Sequence, residues 1–221
     1  MHKFALRHVV CTTLMLLTFA GSSVKATDLY NNIGQSVDST QLLKDSTWTA
    51  LSFMTSATDF TITGVTIPVK NVIGLSVGNV QVSLYTGDGT GSRPNAKIGS
   101  DLGTTPVSGF NNSAVYQDYA ITGLNVTLSP STKYYVVISA SGIGSGSQDF
   151  LYLGIHIGAG GVTTGSLGYS ESVDSGSSWG APQNSLYVVG LVTAVPEPST
   201  YALAAIATGL ITALARRRKL A

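Results

Sequence analysis

The sequence predicts an all-β protein, a jelly-roll-like β-sandwich ectodomain flanked by two address segments, and three observations predict it. Apolar and polar residues alternate with a period of two in several short stretches rich in β-branched and aromatic side chains. Clusters of Gly, Ser, Asn, Asp and Pro punctuate those stretches. No segment before Tyr201 holds a helical period of 3.6. The composition agrees: of 221 residues 43% are apolar and only 10% charged, with 25 glycines and one cysteine. That excludes a coiled coil, a disulfide scaffold and a disordered chain, each of which needs a different balance.

The first element is an N-terminal signal peptide over residues 1–26. Lys3 and Arg7 precede an uncharged, mostly apolar run from Val9 to Ala20, and Gly21 to Ala26 ends in small residues, with Val24 and Ala26 at the −3 and −1 positions. This three-part pattern directs export and cleavage after Ala26 by signal peptidase. The apolar run has 12 residues, short of the roughly 20 that a spanning helix needs; a permanent N-terminal anchor is the competing reading. Cys11 leaves with the leader, so the mature chain has no thiol for disulfides, nucleophilic catalysis or zinc.

The strands follow in order within a body spanning residues 27–193. Thr47 to Met54 places Trp48 and Phe53 in an apolar, Ser/Thr-mixed run, and Thr58 to Val69 alternates Phe60 and Ile62 with threonines. Asn79 to Tyr85 sets Val80, Val82 and Leu84 on one face against Gln81, Ser83 and Tyr85 on the other. Val115 to Ile121, Lys133 to Ala140, Phe150 to Ile155 and Leu186 to Thr193 have the same character. Turns are predicted at 87–95, 129–131, 142–147 and 174–178. The body carries five basic and ten acidic residues, a net charge of −5, and lacks the basic face that counterion release requires, so nucleic acid is not a partner.

The last element begins at Ala194. Val195-Pro196-Glu197-Pro198 precedes an uncharged run, read as a transmembrane helix over about 199–215, and Arg216, Arg217, Arg218 and Lys219 close it as a cytoplasmic stop signal. Its 17 residues make a helix of about 25 Å, short of the roughly 30 Å hydrocarbon core, so insertion is marginal and relies on the basic tail. The basic residues place the tail inside and the body outside.

These three parts, in this order over residues 194–221, resemble the PEP-CTERM sorting signal of Gram-negative bacteria. The resemblance implies that exosortase, a membrane protease, processes the tail. The protein is then held transiently in the inner membrane before reaching the cell surface or exopolysaccharide matrix. Val195, Pro196, Glu197 and Pro198 are in that case a recognition motif on a substrate. A plain single-span anchor after a proline-rich hinge is the competing reading. The body in turn resembles the choice-of-anchor R domain. The similarity is carried by Trp48 to Phe53, Phe60 to Ile67, Val82 to Tyr85, Leu128 to Tyr135 and Tyr169 to Trp179; Val173-Asp174-Ser175-Gly176 departs from that pattern. The resemblance supplies no catalytic residue.

Chemistry-bearing motifs in the body are weak. Gly74-Leu75-Ser76-Val77-Gly78 matches G-x-S-x-G, and His156 is a formal partner, but a nucleophile elbow needs a helix after the serine where this sequence predicts a strand. Gly142 to Gly146 has no following helix to offer a phosphate. Asp88, Asn95 and Asp101, or Asp149, Glu171 and Asp174, are oxygen donors without EF-hand spacing. No catalytic residue, metal or cofactor is assigned. Trp48 and Trp179 are the candidates for stacking on sugar rings. The expected function is a non-enzymatic envelope or matrix protein; a membrane-anchored carbohydrate-binding module is the alternative.

Overall fold

The computed structural model describes residues 27–31, 33, 36–57, 60–71, 75–88, 93–110, 115–143, 151–157, 169–183, 186–188 and 191–196. The signal peptide with Ala26, Glu197, Pro198, the 199–215 segment and Arg216 to Lys219 lie outside the described residues. Thirteen strands are present among them: β1 (Thr27–Asn31), β2 (Ser39–Leu43), β3 (Trp48–Met54), β4 (Phe60–Lys70), β5 (Asn79–Gly87), β6 (Pro94–Lys97), β7 (Gly103–Pro106), β8 (Gln117–Leu128), β9 (Lys133–Ser141), β10 (Leu151–Ile157), β11 (Tyr169–Ser172), β12 (Leu186–Val188) and β13 (Leu191–Pro196). One sheet runs β1-β13-β4-β10-β12, with β8 paired to β4 and β2 to β10; the other runs β11-β3-β9-β5-β6, with β7 paired to β5.

The period-two pattern explains the layering. Leu51 and Phe53 of β3, Tyr134, Val136 and Ile138 of β9 and Val80, Val82 and Leu84 of β5 share one buried cluster with Ile62, Ile67 and Val69 of β4, Leu151 and Leu153 of β10 and Val192 and Ala194 of β13. The rings of Phe53 and Tyr134 stack at 5.9 Å. The two sheets therefore form a β-sandwich with its core between them. β9 is buried on both faces from Tyr134 to Ala140, which is why its sequence reads as a nearly continuous apolar run. β8 alternates between half-buried and exposed positions. It bulges where three residues, Gly123, Leu124 and Asn125, stand against Thr63 of β4, with Gly123 at φ +72°, a conformation that favours glycine.

Most strands lie where the alternation predicts them, and the departures have physical reasons. β1, β2, β6, β7 and β11 arise where no strand is expected. In β6 only Pro94 is buried, and a short polar strand takes its conformation from a neighbour's main chain without an apolar face of its own. Pro94 and Asn95 thus belong to a strand inside the predicted 87–95 turn. The predicted Leu186 to Thr193 strand is two, because β12 pairs with β10 while β13 pairs with β4.

One end of the sandwich is fastened by hydroxyls. Thr55 and Ser56, just past β3, lie beside residues 129–132, which lead from β8 of one sheet to β9 of the other. The Thr55 hydroxyl donates to the carbonyls of Ser129 at 2.7 Å and Thr132 at 3.1 Å, and the Ser131 amide donates to the Ser56 carbonyl at 2.6 Å. The same end holds both chain exits. Thr27 at the start of β1 pairs with Ala194, and Pro196 at the end of β13 pairs with Phe60.

Candidate functional site

Two places in the sandwich gather the candidate residues: the strand that leads into the Val195-Pro196-Glu197-Pro198 segment and a cleft beside Trp179. β13 lies between β1 and β4 and carries Val192 and Ala194 fully buried into the core. Its main chain continues through Val195, opposite Thr61, to Pro196, opposite Phe60. Proline suits the last strand position, since it has no N–H to give a ladder. The strand thus runs past the 193/194 limit between body and sorting segment, and Ala194 is both core residue and start of that segment.

The cleft, of about 600 Å³, is lined by Glu171, Val173, Ser178, Trp179, Gly180, Ala181, Pro182 and Gln183. Its wall forms because residues 180–183 run along β11. The Gly180 amide donates to the Glu171 carbonyl at 2.8 Å and the Gln183 amide to the Tyr169 carbonyl at 2.9 Å. Glu171 reaches across to the other sheet, accepting a 2.7 Å hydrogen bond from the Gln41 side chain.

The turn between β11 and Trp179 is built on Asp174. Its carboxylate accepts from the Ser178 hydroxyl at 2.5 Å, the Ser178 amide at 2.8 Å and the Ser172 hydroxyl at 2.8 Å. Gly176 has φ +81°, and a Cβ there would come within 2.5 Å of the Trp48 ring; no other residue fits between turn and indole. The Trp48 indole N–H donates to the Asp45 carbonyl at 3.0 Å, which the Ser175 hydroxyl also reaches at 3.0 Å. Hydrogen bonds from Ser178, side chain first and then amide, with that from Ser172, pull the Asp174 carboxyl down to about 2. Its folded value lies below the ordinary 3.8, so the turn's stabilisation is complete above that value and fades as pH falls through about 2. Tryptophan fluorescence should hold steady from pH 7 to 4 and change between pH 4 and 2. Asp101, which burial pushes up but hydrogen bonds from Lys97 and Ser83 bring below its ordinary value, also takes up a proton on acidification. The difference between parent and Asp174→Asn is therefore the measurement, and identical curves would refute the assignment.

Trp48 and Trp179, sought as sugar-stacking residues, meet on the outer face of the second sheet. Trp179 packs with Ala50, Tyr135 and Val137 in a small second cluster against which Trp48 and Tyr85 lie. Trp179 is only 9% exposed, so most of its ring is in contact with protein, and it lines the cleft. Lys133 places its ammonium over the Tyr135 ring at 5.2 Å, and burial, then the Asp88 carboxylate, pushes the Tyr135 phenol up. The sequence reading missed the covering segment 180–183, which has no alternation to betray it.

The other motifs scatter. Ser76 is exposed in the turn before β5, and a strand follows it. The Asn71 amide braces that turn, donating to the Leu75 carbonyl and accepting from the Leu75 amide, both at 3.0 Å. His156 pairs with Tyr187 through its main chain, and its side chain lies outside the described residues, as do Gly144 to Gly146 and Asp149. Asp101 is taken up by the Ser83 hydroxyl and by Lys97 at 2.7 Å. Among the described residues no group of three or more His, Cys, Asp or Glu is placed to hold a metal ion, and no helix is long and apolar enough to cross a membrane.

The fold and the site define an all-β sandwich whose last strand runs directly into a C-terminal signal. Residues 194–219 match the family described as the PEP-CTERM protein-sorting motif, so the chain carries that motif. It implies export, transit through the membrane, sorting to the surface, and exosortase as the general kind of processing partner. A comparison with curated proteins returned no match. Among solved structures, two examples share the fold. One is the clostridial cysteine protease Cwp84 after propeptide cleavage, with TM-score 0.54, 11% identity, and coverage of 80% of this chain and 42% of that one. The other holds the cysteine protease and lectin-like domains of Cwp84, a surface layer associated protein of Clostridium difficile. There the TM-score is 0.55 and the identity 10%, over 80% of this chain and 37% of that one. This chain spans about two fifths of the length of those structures, and at such identity the likeness concerns fold alone.

Proposed function

We propose that this is a non-enzymatic, surface-sorted protein of a Gram-negative envelope or exopolysaccharide matrix, cut at its Pro-Glu-Pro motif by exosortase after signal peptidase has removed the leader. Its body is similar to the choice-of-anchor R domain, and its role is structural or adhesive. The observation that carries the reading is the passage of β13 into the matched motif without a linker: Pro196 is still paired in the sheet while residues 194–219 match the sorting family. A body built this way is delivered whole, and the tail beyond it is expendable. The test is intact-mass and C-terminal peptide spectrometry on membrane and matrix fractions of the native host. Matrix protein should run from Thr27 to a residue between 196 and 199. A Glu197→Ala chain should keep its tail and stay in the membrane with unchanged thermal stability. A parental chain found only in membranes with Arg216 to Ala221 intact would make it a plain anchored ectodomain instead.

A second reading, a surface-anchored carbohydrate-binding module, is favoured by the Trp179 cleft. The Trp179 indole there stands beside Glu171, Ser178 and Gln183, the combination of an aromatic ring and hydrogen-bonding groups that a sugar ring requires. A glycan array with matrix polysaccharides tests it, and silence across the array would count against it.

A further inference from the structure

The cleft beside Trp179 carries charge of one sign. Glu171 lines it, and Asp174 is tied to it, because the Asp174 carboxylate holds both the amide and the hydroxyl of Ser178, another lining residue. The Glu171 carboxylate is fixed at one oxygen. Its Oε1 accepts the Gln41 side-chain amide at 2.7 Å, and Oε2 has no hydrogen-bond partner among the described residues. The remaining lining residues are neutral.

No cation offsets these carboxylates. The body has five basic residues, Lys44, Lys70, Arg93, Lys97 and Lys133, and none of them lines the cleft. Three are engaged elsewhere: Lys70 over the rings of Tyr116 and Tyr152 at 4.9 and 5.2 Å, Lys97 with Asp101 at 2.7 Å and Lys133 over the Tyr135 ring at 5.2 Å. The parts of the body outside the described residues contain no lysine or arginine, so they bring no such charge to the site. A carboxylated sugar entering the cleft therefore meets like charge, and partial removal from water strengthens the repulsion. An ammonium group meets the opposite sign and a charge-assisted acceptor.

Resting on the carbohydrate-binding reading above, we infer that the cleft selects amino sugars, polysaccharide with free protonated amines, over uronate polymers, and that Glu171 sets the preference. The ammonium pairs with Oε2 while Gln41 keeps Oε1 in place, and Gln183 is left to hydrogen-bond a ring hydroxyl. Deacetylation turns a neutral N-acetylated polymer into such a ligand, so the site distinguishes two states of one polysaccharide.

The experiment is calorimetric titration of the protein, in the form the native host produces, with oligosaccharides of glucosamine, N-acetylglucosamine and galacturonate of equal length. Dilute buffer below neutral pH keeps the amines protonated. The glucosamine oligomer should bind roughly two- to fivefold more tightly than the acetylated one, the size of one exposed ion pair, with galacturonate weaker than both. Glu171→Gln keeps an acceptor for Gln41 and should bring the glucosamine and acetylated oligomers to equal affinity. Gln183→Lys, at an exposed position fastened by its main chain, puts a cation into the cleft and should raise the affinity for galacturonate. Equal affinities in the parent, or galacturonate as the tightest ligand, would overturn the inference. An amine preference that Glu171→Gln leaves intact would overturn it too, tracing the preference to the net charge of the body, as would a Gln183→Lys chain that rejects galacturonate as the parent does. Parental protein that binds none of the three oligomers refutes the carbohydrate reading itself, a failure distinct from these.

Discussion

An Ala194→Asp protein is expected to lose its body: the thermal midpoint should drop by more than about 10 °C, or the cooperative transition should vanish. Ala194 is fully buried, lies between Thr27 and Ile62 in the ladder, and shares its inward face with Val192. A carboxylate placed there has no partner, and burying it, even neutralised, costs several kcal/mol. A body of this size is stable by about 5–15 kcal/mol in total, so one such change consumes much of the margin. The comparison with Glu197→Ala makes the result specific. Both substitutions fall in the matched sorting segment, yet only the first should move the melting curve, whereas the second should change processing alone. Circular dichroism melts on chains produced from Thr27 onward decide it. A midpoint for Ala194→Asp within about 3 °C of the parent would mean that β13 is not held in the core.

How much of this was legible in the sequence depends on which force forms each element. β3, β4, β5 and β9 form by burying an alternating apolar face, and that face is written in Leu51 and Phe53, Ile62, Val80 to Leu84, and Val136 and Ile138. β6 and β7 bury almost nothing; they exist because β5 offers unpaired main-chain groups, and an edge of that kind leaves no trace in side-chain pattern. β1 is the instructive case. Only Leu29 and Tyr30 of its five residues are known to be apolar and buried, too few for a period, and its register against β13 joins residues 27–31 to residues 191–194. No local signal carries information over that separation.

The candidate sites divide in the same way. The sorting motif is linear, so its residues could be read in order without any fold. The cleft is not linear: Trp179 meets Ala50, Tyr135 and Val137 only because β3 and β9 are neighbours and the 173–178 turn folds back over them. Sequence gave reason to single out two tryptophans as flat apolar faces, but whether such a face is open to a ligand or closed against protein is decided by the turn. Gly176, whose absent side chain makes room for Trp48, is the residue on which that decision rests.

Truncation of Trp179 should therefore be read first as a packing experiment. Trp179→Ala removes the largest member of the second cluster and leaves Ala50, Tyr135 and Val137 uncovered. Losses of this kind cost about 3 kcal/mol or more, which for a domain of this size lowers the midpoint by roughly 6–12 °C. Disappearance of glycan binding in that protein would not separate a lost stacking face from a loosened site. Gln183 provides the separation. It lines the cleft, is exposed, and is fastened to β11 through its main-chain amide, which Gln183→Ala retains. The melt of Gln183→Ala should match the parent's within about 2 °C, since surface truncations cost at most about 0.5 kcal/mol. If the cleft takes sugars, the loss of one hydrogen-bonding group should weaken binding roughly 3- to 10-fold, as expected for about 1 kcal/mol. Binding unchanged in Gln183→Ala would mean that sugar is not held in the cleft beside Gln183, and the carbohydrate reading would lose the observation that supports it.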